Sequence, residues 1–253
     1  MSTGIIFGAD THSDPNLPDI LRKIHDKYPD DHLGIAGDLT DDAIKEQYSF
    51  MWGNLIEYWG NCSGRFCFLV PGNHDCYQGT HGINIFPWRR EGIDLFDRYF
   101  GTHYYGLNAP MVWELPEDKG VVIGLDSNCE NYLFSAAAGR IGLFQRRALD
   151  KLLNKYRGWA RIVMLHHHYA ERGILGTPHK LLDADKFMRV VSGRCEALVC
   201  GHLHKFERLT KFEKEFDIPD CLACGALVKR DYDNRLWRVQ IDFGHLTSEV
   251  VTI

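Results

Sequence analysis

Five short clusters of polar residues in this sequence contain the side-chain types that bind divalent metal ions. They are Asp10-Thr11-His12, Gly37-Asp38, Gly72-Asn73-His74-Asp75, His166-His167-His168 and Gly201-His202-Leu203-His204. Carboxylate oxygens and imidazole nitrogens suit manganese, iron, zinc and related ions, and the set contains no thiolate. A single carboxylate can bridge two cations, and Asp38 is the natural bridge. The residue types therefore predict metal-assisted chemistry.

Each cluster taken alone also has a plain structural explanation. Gly37-Asp38 after a strand is typical of a turn with a capping side chain, and Asn73 and Asp75 are common turn residues. His166 would fit equally well as a core imidazole whose nitrogens are bonded to the backbone. The metal hypothesis depends on the five clusters occurring together, each directly after a predicted strand.

The clusters each follow a short apolar run that is typical of a buried strand. The runs are residues 4–9, 33–36, 66–70, 162–165 and 197–200. In open α/β sheets, ligands bind beyond the carboxyl ends of the strands, so we expect all five clusters to converge on one crevice. Gly37, Gly72 and Gly201 would allow tight turns and close backbone approach beside the ligands.

Helical patterns separate most of these strands. Pro18 suits the first turn of a helix, and Thr40 and Asp41 can cap a second one. Phe144 and Leu149 mark a later amphipathic helix. The remaining predicted elements are a helix at residues 187–191, a strand at 121–125, and antiparallel strands at 236–241 and 250–253 in the tail that starts at residue 222. This order predicts an α/β layered domain with a mixed sheet, and no linker divides residues 1–253.

The composition is typical of a globular protein with a substantial core. The chain has 253 residues, of which 45% are hydrophobic and 25% charged, and its formal charge of −5 argues against broad electrostatic binding of nucleic acid. No apolar run is long enough to cross a membrane and no signal-peptide pattern is present, so the cytosol is the expected location. The eight cysteines are then expected as free thiols, with Cys221 and Cys224 in a structural role.

The five clusters resemble the motifs of the calcineurin-like metallophosphoesterase superfamily. The family pattern runs D-x-H, G-D, G-N-H-D/E, H and G-H-x-H, and residues 5–205 fill every position of it. The resemblance implies an α/β fold in which a two-layered mixed β-sandwich is flanked by helices. It also implies a hydrolase of phosphate esters that holds two divalent metal ions, such as Mn, Fe, Zn or Ni, at the carboxyl ends of the strands.

The resemblance divides the metal ligands between the two ions. They would be Asp10, His12 and His204 for one ion, Asn73, His166 and His202 for the other, and Asp38 as the bridge. His167 is the alternative to His166. His74 would bind no metal but would stabilise or protonate the leaving oxygen, and Asp75 would orient His74.

Two departures from the protein Ser/Thr phosphatases place the sequence closer to another branch. Those enzymes resemble G-D-x-x-D-R-G and N-H-E, whereas this chain has Asp42-Ala43 after Asp41 and Asp75 in place of Glu. The pattern is closest to the phosphodiesterase branch that includes cyclic-nucleotide phosphodiesterase-like enzymes. Tyr169 stands where family members commonly have a proline after the histidine run.

The expected substrate is therefore a small phosphodiester or a nucleotide. A hydroxide shared by two cations roughly 3.5–4 Å apart would attack phosphorus. A metal-dependent nuclease, a phosphomonoesterase, and a non-catalytic scaffold or binding protein with a retained metal site stay open, as does the oligomeric state. Substrate contacts are expected from long loops at residues 76–92, 126–142 and 169–182, although their Arg and aromatic side chains could equally be ordinary surface residues.

Overall fold

Two mixed β-sheets lie face to face in this protein, and helices cover the outer side of each. The computed structural model describes residues 2–60, 67–78, 91–100, 110–128, 137–170, 179–228 and 234–253. Among these residues, no helix has both the length and the apolarity needed to cross a bilayer.

The first sheet places three of the cluster-bearing strands side by side. β1 (Thr3–Gly8), β2 (His32–Ile35) and β3 (Cys67–Leu69) run parallel, and β1 also pairs with the antiparallel hairpin of β10 (Arg235–Asp242) and β11 (His245–Thr252). The strand order is β11-β10-β1-β2-β3. Because parallel strands end at the same edge of a sheet, the first three clusters leave the sheet together.

The second sheet carries the other two clusters. Its strands are β4 (Met111–Leu115), β5 (Gly120–Gly124), β6 (Ala160–Met164), β7 (Ala197–Cys200), β8 (Glu207–Arg208) and β9 (Asp220–Ala223). The order is β4-β5-β6-β7-β9-β8, with β5, β6, β7 and β9 parallel and the two edge strands antiparallel. The clusters after β6 and β7 therefore also share one edge.

Helices complete the layers on both outer faces. They are α1 (Leu17–Lys27), α2 (Lys45–Leu55), α3 (Asn73–Cys76), α4 (Glu91–Phe100), α5 (Gly142–Lys155), α6 (Ala184–Val191) and α7 (Thr210–Phe216). Apolar residues of α1, α2 and α4 pack on the first sheet, and those of α5, α6 and α7 pack on the second. The two sheets bury a third apolar cluster between them.

Successive side chains of β1 point to opposite faces of the sheet, so the strand contributes to two apolar clusters. Ile5 and Phe7 point into the cluster between the sheets, whereas Ile6 joins the cluster under the helices. In β5, Val122 faces the other sheet, and Val121 and Ile123 face the helices. Strands that are buried on both faces read as continuous apolar runs, which is why they were recognisable in the sequence. The predicted two-layered β-sandwich flanked by helices is confirmed.

Several details of the predicted elements were wrong. Helix α2 begins at Lys45 with Ile44 as its cap residue, so Thr40 and Asp41 do not cap it. Helix α5 buries Gln145 and leaves Phe144 67% exposed. Gln145 is buried because its side-chain amide bonds to both the nitrogen and the oxygen of the Asp126 main chain. The face that a helix buries can thus be set by one polar contact that its apolar spacing does not show.

The C-terminal region was predicted only in part. The hairpin β10–β11 is antiparallel as expected, but β11 begins at His245, five positions before the predicted strand. Strand β9 begins before residue 222 and pairs parallel with β7, because α7 returns the chain to the starting end of the sheet. Strand β4 and helices α4 and α7 carried no pattern that predicted them. The described cysteines are free thiols, as expected: Cys67, Cys76, Cys195, Cys200, Cys221 and Cys224.

Candidate metal centre

The five clusters meet at one edge of the sandwich, where the two sheets touch. His166 follows β6, and its Nδ1 donates a hydrogen bond of 2.8 Å to the Ala36 carbonyl after β2. Backbone bonds of 3.0 Å, from Asp10 to Gly37 and from Gly201 to His166, continue the strand pairing beyond the strands. The predicted convergence on one crevice is therefore present, and it spans both sheets.

A first group of candidate ligands consists of Asp10, His12 and His204. One ligand atom from each lies within 4.8 Å of the others. The Nε2 atoms of His12 and His204 are 3.3 Å apart, and Asp10 Oδ1 is 3.6 Å from His204 Nε2. Burial raises the pKa of Asp10 well above its usual value, and a nearby cation would reverse that effect. These three residues could hold one metal ion.

A second group surrounds the Nε2 atom of His166. It lies 3.1 Å from His202 Nδ1, 3.1 Å from Asn73 Oδ1 and 3.3 Å from Asp38 Oδ2. Because His166 Nδ1 carries the proton donated to the Ala36 carbonyl, Nε2 is the nitrogen that faces the two oxygen atoms, where either a proton or a metal ion can bind. Lone pairs that converge on one point favour a cation there. The donor set of this group therefore fits a metal ion.

The charges at this point of the site support the same conclusion. Burial lowers the pKa of His166, but the Asp38 and Asp10 carboxylates and the bond to the Ala36 carbonyl together outweigh burial and raise it to about 9. Burial would raise the pKa of Asp38, yet His166 holds it well below its usual value. The buried pair thus stabilises positive charge between the two side chains.

Asp38 lies between the two groups. Its Oδ2 is 3.3 Å from His166 Nε2 in the second group and 4.0 Å from His12 Nε2 in the first. Its Oδ1 accepts a hydrogen bond of 3.0 Å from the His74 backbone. One carboxylate oxygen is therefore fixed by the main chain, and the other is free to face both groups, as a bridging ligand must.

The backbone beneath the candidate ligands is held in an uncommon conformation. Asp10, His12, Asp38, His202 and His204 all have positive φ, between 48° and 76°. Asp and His tolerate this region better than most residues, but it still costs free energy. The tight turns expected from the sequence are therefore made partly by the ligand residues themselves. Of the three glycines, Gly37 also has a positive φ, of 87°.

Gly72→Ala is expected to displace Asp38 and weaken metal binding. A Cβ at residue 72 would lie 2.0 Å from Asp38 Oδ1 and 2.4 Å from its backbone nitrogen. Asp38 would have to shift to relieve this overlap, and a misplacement of about 1 Å at an active site can cost about a hundredfold in rate. We therefore expect kcat to fall by about that factor and metal affinity to fall with it. Overpacking should lower the free energy of unfolding by about 1–3 kcal/mol. Metal titration, steady-state kinetics and denaturant unfolding measure the three effects.

Gly53→Ala is the matched control for this substitution. A Cβ at residue 53 meets nothing within 4 Å, and the residue lies in α2. Alanine there should raise the free energy of unfolding by about 0.5–1 kcal/mol and leave metal affinity unchanged. If Gly72→Ala bound metal as tightly as Gly53→Ala, the contact between residue 72 and Asp38 would not matter to the site.

His166, and not its neighbour His167, faces the second group. The His167 ring is fully buried, with Nδ1 2.8 Å from Ser127 Oγ and Nε2 3.0 Å from the Ala137 carbonyl. Both of its nitrogens are thus engaged by other groups. His168 Nδ1 accepts a hydrogen bond from Ala170. The geometry therefore favours His166 as the candidate ligand of the histidine run.

The ring of His74 is oriented by Asp41, so the expectation that Asp75 orients it was wrong. His74 Nδ1 donates a hydrogen bond of 2.7 Å to the Asp41 backbone carbonyl and lies 3.4 Å from the Asp41 carboxylate. Nε2 is the nitrogen left to meet a substrate oxygen. The same carboxylate is 3.5 Å from His12 Nδ1. Because His74 Nδ1 donates to a carbonyl oxygen, which can only accept, we assign the contact between His74 and Asp41 to a hydrogen bond and not to a third metal site.

The Asp75 carboxylate holds two backbone turns of the site together. It is fully buried, and its carboxylate accepts backbone hydrogen bonds from Leu39 at 3.1 Å, Thr40 at 2.8 Å and Gly72 at 2.9 Å. The Thr40 hydroxyl donates a further bond of 2.9 Å, which explains why Thr40 is not a helix cap. Asp75 thereby joins the turn that carries Asp38 to the turn that carries His74.

The sequence pattern suggested Asp41 only as a helix cap. It did not indicate that Asp41 lies beside His12 and His74. The available signal was the spacing Gly37-Asp38-x-x-Asp41 itself, which puts a second carboxylate three residues after the first. Most of the long loops that were expected to contact substrate fall on residues 79–90, 129–136 and 171–178, outside the described part of the chain. The loop residues Trp88 and Arg172 belong to these stretches.

Comparison with known sequences agrees with these motifs. A family model described as calcineurin-like phosphoesterase matches residues 4–206. The chain is also 24% identical over 199 residues to a probable cyclic nucleotide phosphodiesterase of Colwellia psychrerythraea. That alignment covers 77% of this chain and 64% of the relative, so the chain spans less than two thirds of the relative's length.

Solved structures show the same fold at low sequence identity. A purple acid phosphatase from yellow lupin seeds matches with a TM-score of 0.67 and 12% identity, over 100% of this chain and 52% of its own. GAP50, the anchor in the inner membrane complex of Plasmodium, matches with a TM-score of 0.60 and 10% identity, over 99% and 84%. The family model covers most of the chain, and it therefore shows that the chain belongs to the calcineurin-like phosphoesterase family.

Proposed function

We propose that this chain is a two-metal phosphodiesterase that hydrolyses a small phosphodiester or nucleotide. The observation that carries the proposal is the position of Asp38 between two groups of ligand-type side chains, 3.3 Å from one histidine nitrogen and 4.0 Å from another. The proposed ligands are Asp10, His12 and His204 for the first ion, Asn73, His166 and His202 for the second, and Asp38 for both.

The chain's own residues would divide the work of the reaction. When bound, a pair of divalent ions supplies a water of lowered pKa and positive charge beside the phosphoryl oxygens. His74 is placed to give a proton from Nε2 to the leaving oxygen, because Asp41 holds the other nitrogen. Asp41 keeps the ring in one tautomer and one orientation. No side chain is required as a nucleophile, so the proposal predicts hydrolysis without a phosphorylated protein.

The donor types limit which metal ions the proposed site would bind. Four of the seven proposed ligands are imidazoles, and the others are two carboxylates and one amide. Imidazole nitrogens suit Fe, Zn and Ni, and the carboxylate oxygens also admit Mn, whereas Mg and Ca prefer all-oxygen sites. Within that set, cellular supply decides which ion is present.

Two observations support a diester over a monoester. The relative from Colwellia psychrerythraea carries a phosphodiesterase name and shares 24% of aligned residues. In addition, Asp42-Ala43 follows Asp41 where the protein Ser/Thr phosphatases have Arg-Gly. The alignment covers only 64% of that relative, so the relative's name alone does not assign a substrate to this chain.

A substrate panel on metal-defined protein tests the function. Protein stripped by a chelator would be reloaded with Mn, Fe, Ni, Zn or Mg and given bis-p-nitrophenyl phosphate, a cyclic nucleotide, p-nitrophenyl phosphate and single-stranded DNA. We expect hydrolysis to vanish on chelation, to return best with Mn or Fe, and to favour the diesters over the monoester by about tenfold or more.

The other outcomes of the panel identify the alternatives. Preference for p-nitrophenyl phosphate would indicate a phosphomonoesterase, and preference for DNA a nuclease. Protein that binds two ions and hydrolyses nothing would indicate a non-catalytic binding role for this chain.

A further inference from the structure

Both ring nitrogens of His167 have hydrogen-bond partners, and neither partner belongs to the two groups of candidate ligands. The Ala137 carbonyl can only accept, so His167 Nε2 donates to it and Nδ1 accepts from the Ser127 hydroxyl. The Ser127 oxygen in turn accepts a hydrogen bond of 3.1 Å from the His167 backbone. The ring is thereby held in one tautomer and one orientation, away from solvent.

The ring of His167 packs against the histidines of the second group. Its centroid lies 4.6 Å from that of His202 and 5.1 Å from that of His166. The backbone at Gly139 also closes on the ring, so tightly that a Cβ there would lie 2.3 Å from His167 Cγ. His167 is therefore wedged in place, and its neighbours' rings have little room to turn.

The residues around Ser127 are anchored on two sides. The Asp126 main chain bonds to Gln145 of α5 through its nitrogen at 3.1 Å and its oxygen at 2.6 Å. Asn128 Nδ2 donates to the Pro71 carbonyl at 2.9 Å, two positions before Asn73. The segment 126–128 thus connects a rigid helix to the turn that carries one proposed ligand and to the ring that packs on two others.

We propose that Ser127 and His167 form a positioning pair for the second metal ion, the one assigned to Asn73, His166 and His202. This inference rests on the proposed two-metal function. Groups that orient metal ligands from outside typically affect metal affinity by about 10–100-fold when removed. The pair touches the second group, so its loss should weaken that ion and leave the first one bound.

Ser127→Ala tests the pair with Mn²⁺ as the probe. We expect the affinity for one of two Mn²⁺ ions to fall about tenfold or more, and that for the other to change less than about threefold. The electron paramagnetic resonance spectrum should change from that of a coupled pair to that of a single ion at limiting Mn²⁺. Anomalous scattering from crystals at limiting Mn²⁺ should locate the depleted site among Asn73, His166 and His202. Ser127→Thr, which restores the hydroxyl, should restore the affinity.

Ser192→Ala is the matched control. The Ser192 hydroxyl also donates one partly buried hydrogen bond, 2.9 Å long, to the Phe216 carbonyl at the end of α7, and neither residue belongs to a candidate metal group. It should affect thermal stability without changing either Mn²⁺ affinity. If the unmodified protein binds two ions and Ser127→Ala binds both equally well, the positioning pair is wrong and the proposed function is unaffected. Equal weakening of both ions would overturn the assignment to the second ion. Unmodified protein that binds no Mn²⁺ would overturn the proposed function as well.

Discussion

Asp38→Asn is expected to abolish the proposed two-metal site while the chain stays folded. The amide oxygen can still accept the hydrogen bond from the His74 backbone, now made at 3.0 Å, so the turn keeps its main partner. A neutral amide cannot offset the charge of two cations, however, and Asn is a poor bridge between them. We expect at least one ion to be lost and kcat/KM to fall by about a thousandfold or more, equivalent to about 4 kcal/mol.

Metal content by mass spectrometry and steady-state kinetics would measure both effects. Asp42→Asn is the control, because Asp42 lies four positions further on and belongs to none of the three described groups. It should retain both ions and nearly full activity. Two retained ions in Asp38→Asn, with activity within tenfold of the unmodified protein, would rule out the bridging role.

His74→Ala should separate metal binding from proton transfer. The His74 backbone, which bonds to Asp38, is unchanged by the substitution, so both ions should stay bound. Loss of a general acid typically lowers kcat by about 10²–10⁴-fold. The loss should be large for substrates with an alkyl leaving group and small for those with nitrophenol, because a good leaving group needs no proton. A series of aryl and alkyl phosphodiesters measures this difference.

His25→Ala, on the outer helix α1, serves as the control for that series. It should leave every rate unchanged. An equal loss for all leaving groups in His74→Ala would show that His74 stabilises charge or positions substrate and donates no proton. Loss of metal from His74→Ala would place the residue among the ligands instead.

The sequence predicted that the five clusters meet at one edge because parallel strands share a direction. Asp10, Asp38 and Asn73 follow three apolar runs, and those runs are parallel neighbours in the first sheet. Apolar runs of this kind are recognisable because both faces of the strand are buried. The contact between the two sheets was not encoded in such a local pattern. The bond from His166 to Ala36 joins residues 130 positions apart.

The sequence failed where a side chain's partner depends on the exact path of a turn. Asp75 follows His74 directly, so adjacency suggested a pair, yet the turn sends the Asp75 carboxylate to the Leu39 and Thr40 backbone. The partner of His74 is a main-chain carbonyl of Asp41. Main-chain carbonyls carry no residue identity, so a sequence cannot mark which one accepts a given hydrogen bond.

The burial of Gln145 in place of Phe144 also depends on a main-chain partner that the sequence does not mark. Spacing alone placed the aromatic residue inward, but the amide is the buried one because it satisfies the Asp126 main chain beyond β5. A buried polar group that is fully paired costs little, whereas an unpaired main chain at Asp126 would cost about 1–3 kcal/mol. The need to pair the backbone beside the site therefore decided the orientation of α5.

The positive φ angles of Asp10, His12, Asp38, His202 and His204 also bear on how such a centre can change over evolutionary time. A side chain with a branched Cβ cannot follow that main-chain path without strain, so drift at these positions is confined chiefly to Asn, Asp, His and Gly. A descendant that abandoned catalysis would be expected to keep its loops and exchange its acids and imidazoles for Asn or Gly. The conformation of the loops would then be retained after the metal-binding side chains had been replaced.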